Sequence, residues 1–329
     1  MGVSPDAYHN IGVVGAGAWG TALAIAAAAA GCRVVLWGRD RARMQDLARE
    51  RCAHPSLPQI RLPDAILPTA ELAEVCANQA LLIAVPAQHL RACVQALRRF
   101  SAPQLPAVIC AKGVEQQSGL LMNEVLEQAA PELLPAILSG PSFARDVTLG
   151  LPTAVTIAAQ IATAERLQAA LSSGAFRPYA SDDLTGVALG GAAKNVYALA
   201  CGIVEGLRLG ESARAALLAR AFAELTRLGE ALGARRETLM GLSGLGDLVL
   251  TATSRTSRNF SRGIAIGERR AQPAQALAEG VYTAPALVTR AQRHGIELPI
   301  AEAVADILSG KLALEQAAAR LMQRPLKAE

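Results

Sequence analysis

Lysine is scarce in this sequence. Of the 32 basic residues among 329, only Lys112, Lys194, Lys311 and Lys327 are lysine, and the other 28 are arginine. Where the chain needs positive charge alone it uses Arg, so each Lys asks for a reason. Other scarcities exclude whole function classes. No block of five or more like charges occurs and the net charge is +4, which offers nucleic acid no basic tract while leaving room for a small anionic substrate. The six cysteines (Cys32, Cys52, Cys76, Cys93, Cys110, Cys201) include no CxxC pair, and reduced core thiols in a cytoplasmic protein are the expectation. The four histidines (His9, His54, His89, His294) show no ligand spacing, so no metal site is expected. The start, MGVSPDAYHN, lacks a basic stretch followed by an apolar one and does not read as a signal peptide. The most apolar early run, TALAIAAAAAGCRVVLW, is broken by Gly31 and Arg33 and is too short to span a bilayer. Aromatic residues make up 3% of the chain, and its richness in alanine favours helices packed through small side chains.

What is present has a clear order. Short apolar runs alternate with helical stretches through the first half: IGVVG (11–15), RVVLW (33–37), ALLIAVP (80–86), AVICAKG (107–113), AILSGP (136–141) and PTAVTIA (152–158). Continuously apolar runs are what strands buried on both faces require, and the alternation predicts a doubly wound parallel sheet of α/β type. After about residue 181 helical periodicity takes over. Asp182 or Asp183 is expected to cap a long helix carrying Lys194, and further helices are expected at 211–232, 256–269, 283–294, 299–308 and 312–323, with Pro299 in a first turn. The division is therefore 1–183, a dinucleotide-binding domain, and 184–329, an all-α substrate and catalytic domain.

The segment IGVVGAGAWGTALA places Gly15, Gly17 and Gly20 directly after the first strand and at the start of a helix. In that context GxGxxG is a dinucleotide loop. The first glycine permits a tight turn, the second a close approach to pyrophosphate, and the third close packing of helix on strand. Ala18 and Trp19 open the helix whose free N–H groups face the phosphates. The second strand ends WGRD. Arg39 stands where an NAD-selective protein often has an acid for the ribose 2′-OH, and Asp40 comes one residue late. An arginine there pairs with a 2′-phosphate, which points to NADPH; a solvated Arg39 with both cofactors used is the alternative.

Lysine does one thing that arginine does not. Burial or neighbouring cations lower its pKa enough for proton exchange near neutrality. Lys112 ends the AVICAKG strand, and ligands of open α/β sheets bind at such carboxyl ends. Lys194 sits in GGAAKNVYAL (190–199). Gly190, Gly191, Ala192 and Ala193 leave little bulk before it, so that another molecule can approach closely, and Asn195 adds a polar group. The competing readings are a strand-end charge for Lys112 and a surface lysine with its stem along apolar neighbours for Lys194. A second dense segment is GLSGLGDLVLTATSRTSRNFSRG (241–263). Asp247 either orients a lysine or bonds a substrate hydroxyl there, or merely caps a helix. Ser257, Arg258 and Asn259 near a helix start suit a phosphate, and Arg255, Arg258 and Arg262 fall near one helix face, with a solvated basic face as the alternative.

Taken together, GAGAWGTALA (15–24), AKG (111–113), SGPSFA (139–144), LGGAAKNV (189–196), GLGDLVLT (244–251) and SRN (257–259) resemble, in order and across nearly the whole chain, the bacterial NAD(P)-dependent glycerol-3-phosphate dehydrogenases. The resemblance implies a Rossmann domain followed by a helical domain. It implies reversible reduction of dihydroxyacetone phosphate to sn-glycerol 3-phosphate with NADPH or NADH, supplying glycerophospholipid synthesis. It makes Lys194 the proton donor and acceptor, Asp247 its support, and Lys112 a contact of both substrate and cofactor. Gly140, Ser142, Asn195, Ser257, Arg258 and Asn259 become substrate contacts. Ala144, Arg258, Leu277 and Glu279 become cofactor contacts. A homodimer is the usual assembly of such enzymes. Two departures stand out: Ala18 replaces the more usual Ser before the aromatic of the loop, and LAEG (277–280) replaces a valine-rich version. The alternative enzyme is another two-domain NADPH-dependent hydroxyacid or keto reductase, such as 3-hydroxyisobutyrate dehydrogenase or ketopantoate reductase. Those space the active Lys and Asn by a helical turn, whereas Lys194 and Asn195 are adjacent. A nucleotide-sensing regulator needs the glycine loop but not Lys194, Asp247 or the 257–259 group.

Overall fold

The computed structural model describes residues 7–54, 57–270 and 278–317. In chain order its first elements are β1 (Asn10–Val14), α1 (Ala18–Ala29), β2 (Arg33–Trp37), α2 (Arg41–Glu50), β3 (Cys52–His54), β4 (Leu57–Arg61), β5 (Ile66–Thr69), α3 (Leu72–Cys76), β6 (Ala80–Ile83), α4 (Leu90–Leu97) and β7 (Pro106–Ile109). Then come α5 (Met122–Ala129), β8 (Leu134–Ser139), α6 (Ala144–Thr148), β9 (Thr153–Ala158), α7 (Ile161–Leu171) and β10 (Phe176–Ser181). The eight-stranded sheet has the order β10-β9-β8-β7-β6-β1-β2-β5, and β3 with β4 forms a separate two-stranded pair. All six strands expected from apolar runs are present. Every residue of β6 and β7 is buried, as central strands covered by helices on both faces must be.

The sheet is parallel-dominated rather than wholly parallel. β8 and β9 run antiparallel, with Ile137 opposite Ala158 and Ser139 opposite Thr156. Their connection contains only the five-residue α6, too little helix for a crossover, so the chain turns back. The edge strands β5 and β10 add to the expected set. The core of this unit runs through Ile11, Val13, Leu23, Leu36, Leu82, Val108, Leu138 and Ile157, all at most 1% exposed.

The rest is helical: α8 (Leu184–Gly206), α9 (Glu211–Ala231), α10 (Arg236–Met240), α11 (Asp247–Thr253), α12 (Arg258–Gly267), α13 (Glu279–Arg293) and α14 (Pro299–Leu308). A π-helical turn, Leu242–Gly246, joins α10 to α11. The chain forms two compact units, one of Met1–Lys112 with Leu121–Ala188 and one of Gly113–Leu120 with Leu189–Glu329. Asp183 is the residue that caps α8, its Oδ1 accepting from Gly186 N at 2.7 Å. Pro299 lies in the first turn of α14, as expected. The helix expected over 312–323 is helical at 314–317; residues 312 and 313 are not helical, and 318–323 lies outside the described residues.

α8 is long and apolar enough to cross a membrane by composition, and it is a buried helix of the folded protein. Its C-terminal half packs on α12 through two GxxxG runs, Gly202–Gly206 and Gly263–Gly267. A Cβ on Gly202 would lie 2.1 Å from the Phe260 carbonyl oxygen, and one on Gly263 would lie 2.2 Å from that of Leu199. Only glycine lets the two backbones approach this closely. The pairs are in parallel register, so the start of α12 lies toward Asn195. Elsewhere in the helical unit, Glu224 of α9 reaches the N-terminus of α14. Its Oε1 accepts from Ile300 N at 2.8 Å and its Oε2 from Ala301 N at 3.4 Å, satisfying donors that a helix start leaves without partners. The 113–120 segment is fastened to α13, where Arg290 donates to Gly119 O and Arg293 to Ser118 O, each at 3.0 Å.

Candidate active site

The site residues fall into two groups, one on each unit. The first lies at the carboxyl ends of β1, β2, β7 and β8. Gly15 continues β1 by donating its N–H to Trp37 O at 2.9 Å, then turns the chain with φ at 112°, a conformation that L side chains rarely adopt. Gly20 lies so close to that turn that a Cβ would sit 1.8 Å from the Gly15 oxygen. Gly17 is different: a Cβ there would meet no heavy atom within 4 Å, so the protein leaves open space beside it. Gly17 is also the cap residue of α1, no side chain satisfies the first N–H groups, and no acid occupies the first turn. Open space, free donors and the positive end of a helix together fit a dinucleotide pyrophosphate. Ala18 and Trp19 are half-buried at this helix start. Arg39 is exposed just beyond β2, and Asp40 caps α2, its Oδ1 accepting from Arg43 N at 3.1 Å.

At the ends of β7 and β8 three predicted residues meet on one carbonyl. Lys112 Nζ and Ser142 Oγ each donate to Gly140 O at 3.0 Å. Gly140 has φ at 148°, and a Cβ on it would lie 2.8 Å from Val155 Cα. Ala144 follows as the first residue of α6. Burial pushes the nearby Cys110 thiol up, so it stays protonated and offers no competing nucleophile.

The second group is centred on Lys194, which is buried on α8. Its Nζ donates to Asp247 Oδ1 at 2.6 Å and to Thr251 Oγ1 at 2.8 Å, and Thr251 Oγ1 lies 3.2 Å from the same Asp247 oxygen. Asp247 is wholly buried. It is the first residue of α11, not its cap; Gly246 holds that position. The capping alternative is therefore set aside, as is the surface-lysine alternative for Lys194. The glycines before Lys194 also acquire a specific reason. Gly190 is one helical turn earlier on the same face, and a Cβ there would lie 2.6 Å from the Ser243 carbonyl oxygen. At Gly190 the small residue admits the π-helical turn, not a separate molecule, and that turn delivers Asp247 to Lys194.

Ser257, Arg258 and Asn259 form the start of α12. Ser257 is its cap, its Oγ accepting from Phe260 N at 3.2 Å, and Arg258 is exposed in the first turn. Asn259 Nδ2 donates to Asn195 Oδ1 at 2.8 Å while Asn259 Oδ1 accepts from Gly280 N at 2.9 Å. The chain Asn195–Asn259–Gly280 thus ties α8, α12 and α13 together, next to Glu279, the first residue of α13. Arg255 does not join the helix face expected of it. It precedes α12 and lies 3.7 Å from Glu205. Leu277 lies outside the described residues. Thr251 is the participant missed by sequence reasoning; its signal was a hydroxyl one helical turn after Asp247, on the same face.

A buried ammonium with a fixed carboxylate and hydroxyl, on the same unit as an arginine-bearing helix start capped by Ser257, can protonate an oxygen and bind an anion. Models of the NAD-dependent glycerol-3-phosphate dehydrogenase N-terminus and C-terminus match residues 10–165 and 183–319. A glycerol-3-phosphate dehydrogenase (NAD(P)+) from Bradyrhizobium sp. (strain ORS 278) is 55% identical over 323 residues, covering 98% of both chains. One from Parvibaculum lavamentivorans is 53% identical over 329 residues, covering 98% of this chain and 99% of its own. Among solved structures, glycerol-3-phosphate dehydrogenase from Coxiella burnetii is similar with a TM-score of 0.90 and 34% identity, covering 97% of this chain and all of that one.

Proposed function

The chain belongs to the NAD-dependent glycerol-3-phosphate dehydrogenase family, and on that premise we propose that it reversibly reduces dihydroxyacetone phosphate to sn-glycerol 3-phosphate, using NADPH or NADH. The observation that carries the proposal is the buried Lys194–Asp247–Thr251 group. When bound, the nicotinamide supplies the hydride. Negative charge then develops on the substrate oxygen, and a lysine ammonium in a water-poor site both stabilises and protonates it. Asp247 and Thr251 fix the direction of the Lys194 N–H groups, so the proton is delivered without reorganisation. In the reverse direction Lys194 takes the proton from the alcohol. Lysine suits this work because its ammonium can be deprotonated, which a guanidinium cannot at physiological pH.

The glycine loop, with Gly15, Gly17, Ala18, Trp19 and Gly20, holds the nucleotide, and Arg39, Ala144, Glu279 and Leu277 complete its contacts. Lys112, Gly140, Ser142 and Asn195 bind the polar groups of the substrate. Ser257, Arg258 and Asn259 hold its phosphate at the start of α12, where N–H groups and a guanidinium combine. The product feeds glycerophospholipid synthesis in the cytoplasm, and the working assembly is a homodimer, which light scattering on the purified chain will test. The proposal predicts that dihydroxyacetone phosphate raises the melting temperature only when NADPH or NADH is also present. Protection by the phosphate that ignores the nucleotide contradicts it.

A further inference from the structure

Three arginines, Arg39, Arg41 and Arg43, follow β2 and open α2, and they are used differently. Arg41 pairs with Glu71. Arg39 is exposed. Arg43 turns back to the glycine loop and donates from Nη2 to the carbonyl of Ala16 at 3.1 Å. Ala16 lies between the first two glycines of GxGxxG. Three segments converge here: a Cβ on Gly38 would lie 3.1 Å from Ala16 Cβ and 2.4 Å from Met44 Sδ. The end of β2, the loop and the first turn of α2 are thus in contact, with Arg39 just beyond β2 and Arg43 in the first turn of α2. The one acid between them, Asp40, directs Oδ1 to the N–H of Arg43. His54 also lies near Arg43. Burial and then the Arg43 charge push its imidazole down, so it adds no cation at neutral pH.

We propose that Arg43 is a specificity-determining residue of the nucleotide site, its guanidinium joining Arg39 in binding a 2′-phosphate on the adenosine ribose. This rests on the nucleotide reading of the same loop given above. A guanidinium carries five donors in a fixed fork, and the Ala16 carbonyl uses one nitrogen of that fork. The bond to Ala16 holds the side chain beside the loop before any ligand arrives, so less rotamer freedom is lost on binding. Two arginines match a phosphate of nearly two negative charges better than one does. The nucleotide class taken is therefore the 2′-phosphorylated one.

The test is calorimetric and needs no turnover. The full-length protein and its Arg43→Ala, Arg43→Lys and Arg39→Ala variants are titrated with 2′,5′-ADP and with 5′-ADP. The expected result is that Arg43→Ala weakens 2′,5′-ADP about tenfold or more while changing 5′-ADP less than about threefold, as loss of a charged hydrogen bond implies. Arg43→Lys keeps the charge and recovers part of the difference. Equal weakening of both ligands means that Arg43 only pins the loop, and it overturns the proposal. So does an unchanged 2′,5′-ADP affinity in a folded Arg43→Ala variant. A parent that binds neither ligand nor NADPH overturns the nucleotide reading itself, whereas a parent that binds NADPH and NADH equally overturns only the role of Arg43.

Discussion

Replacing Gly202 with alanine probes how the helical unit holds the residues proposed to bind the substrate. The new methyl would sit 2.1 Å from the Phe260 carbonyl oxygen. A carbon–oxygen contact settles near 3.3 Å, so α8 and α12 must separate locally by roughly 1 Å. Gly202 lies two turns along α8 from Asn195, about 10 Å at the helical rise. The bond from Asn259 to Asn195, now 2.8 Å, then stretches beyond hydrogen-bond range. Overpacking costs about 1–3 kcal/mol and the lost hydrogen bond about 1 kcal/mol, against about 1 kcal/mol of helix propensity gained. The net expectation is destabilisation by about 1–3 kcal/mol. Thermal unfolding reads the first effect. Steady-state kinetics read the second: KM for dihydroxyacetone phosphate rises, because Ser257, Arg258 and Asn259 shift with α12, while KM for NADPH changes less. Gly174→Ala is the control, since a Cβ there meets no heavy atom within 4 Å. A Gly202→Ala protein as stable as the parent with an unchanged substrate KM refutes the reasoning.

Two further predictions concern buried charge. Burial pushes Glu224 up to about 7, with Tyr197 and Arg227 as its other charged or titratable neighbours. An unfolded glutamate titrates near ~4.3, so the folded protein holds this proton more tightly between those values and the contribution to stability is lost as pH rises through 7. Denaturant unfolding of Glu224→Gln against the parent should show a stability gap that moves in favour of Gln by up to roughly 3 kcal/mol between pH 4.5 and 7.5, and a gap independent of pH contradicts it. Asp247→Ala leaves the buried Lys194 ammonium without its carboxylate and should cost about 3–5 kcal/mol by urea titration. The double change Lys194→Met with Asp247→Leu should recover most of that stability and no activity; a double variant as unstable as Asp247→Ala rules out the charge argument.

Much of the fold was legible because buried strands write themselves as apolar runs. β6 (ALLI) and β7 (PAVI) carry no polar side chain, and the GxGxxG loop has a steric reason at Gly15 and Gly20 and open space beside Gly17. The edge strands were not legible. β5 is ILPT and β10 is FRPYAS, each with a proline and exposed positions, because an edge strand need bury only part of itself. Strand direction leaves no mark in composition, so the antiparallel β8–β9 pair was invisible. In the site, Lys194 and Asp247 stood out as rare or charged residues in apolar surroundings. Thr251 did not, since a threonine in a helix looks ordinary until its partners are known. The π-helical turn at 242–246 reads as a glycine-rich loop, and the GIVEG and GIAIG runs do not say which helix faces which.

The central claim is that this chain reduces dihydroxyacetone phosphate with Lys194 as the proton donor. The most direct measurement is the fall in NADPH absorbance on adding dihydroxyacetone phosphate, repeated with NADH and with Lys194→Arg and Lys194→Ala. The expected result is rapid oxidation by the parent and a loss of about 100-fold or more in both variants, the usual scale of a general acid, with the fold intact by circular dichroism. Activity of Lys194→Arg within a few-fold of the parent contradicts the role of Lys194. No oxidation by a folded parent that binds NADPH contradicts the substrate.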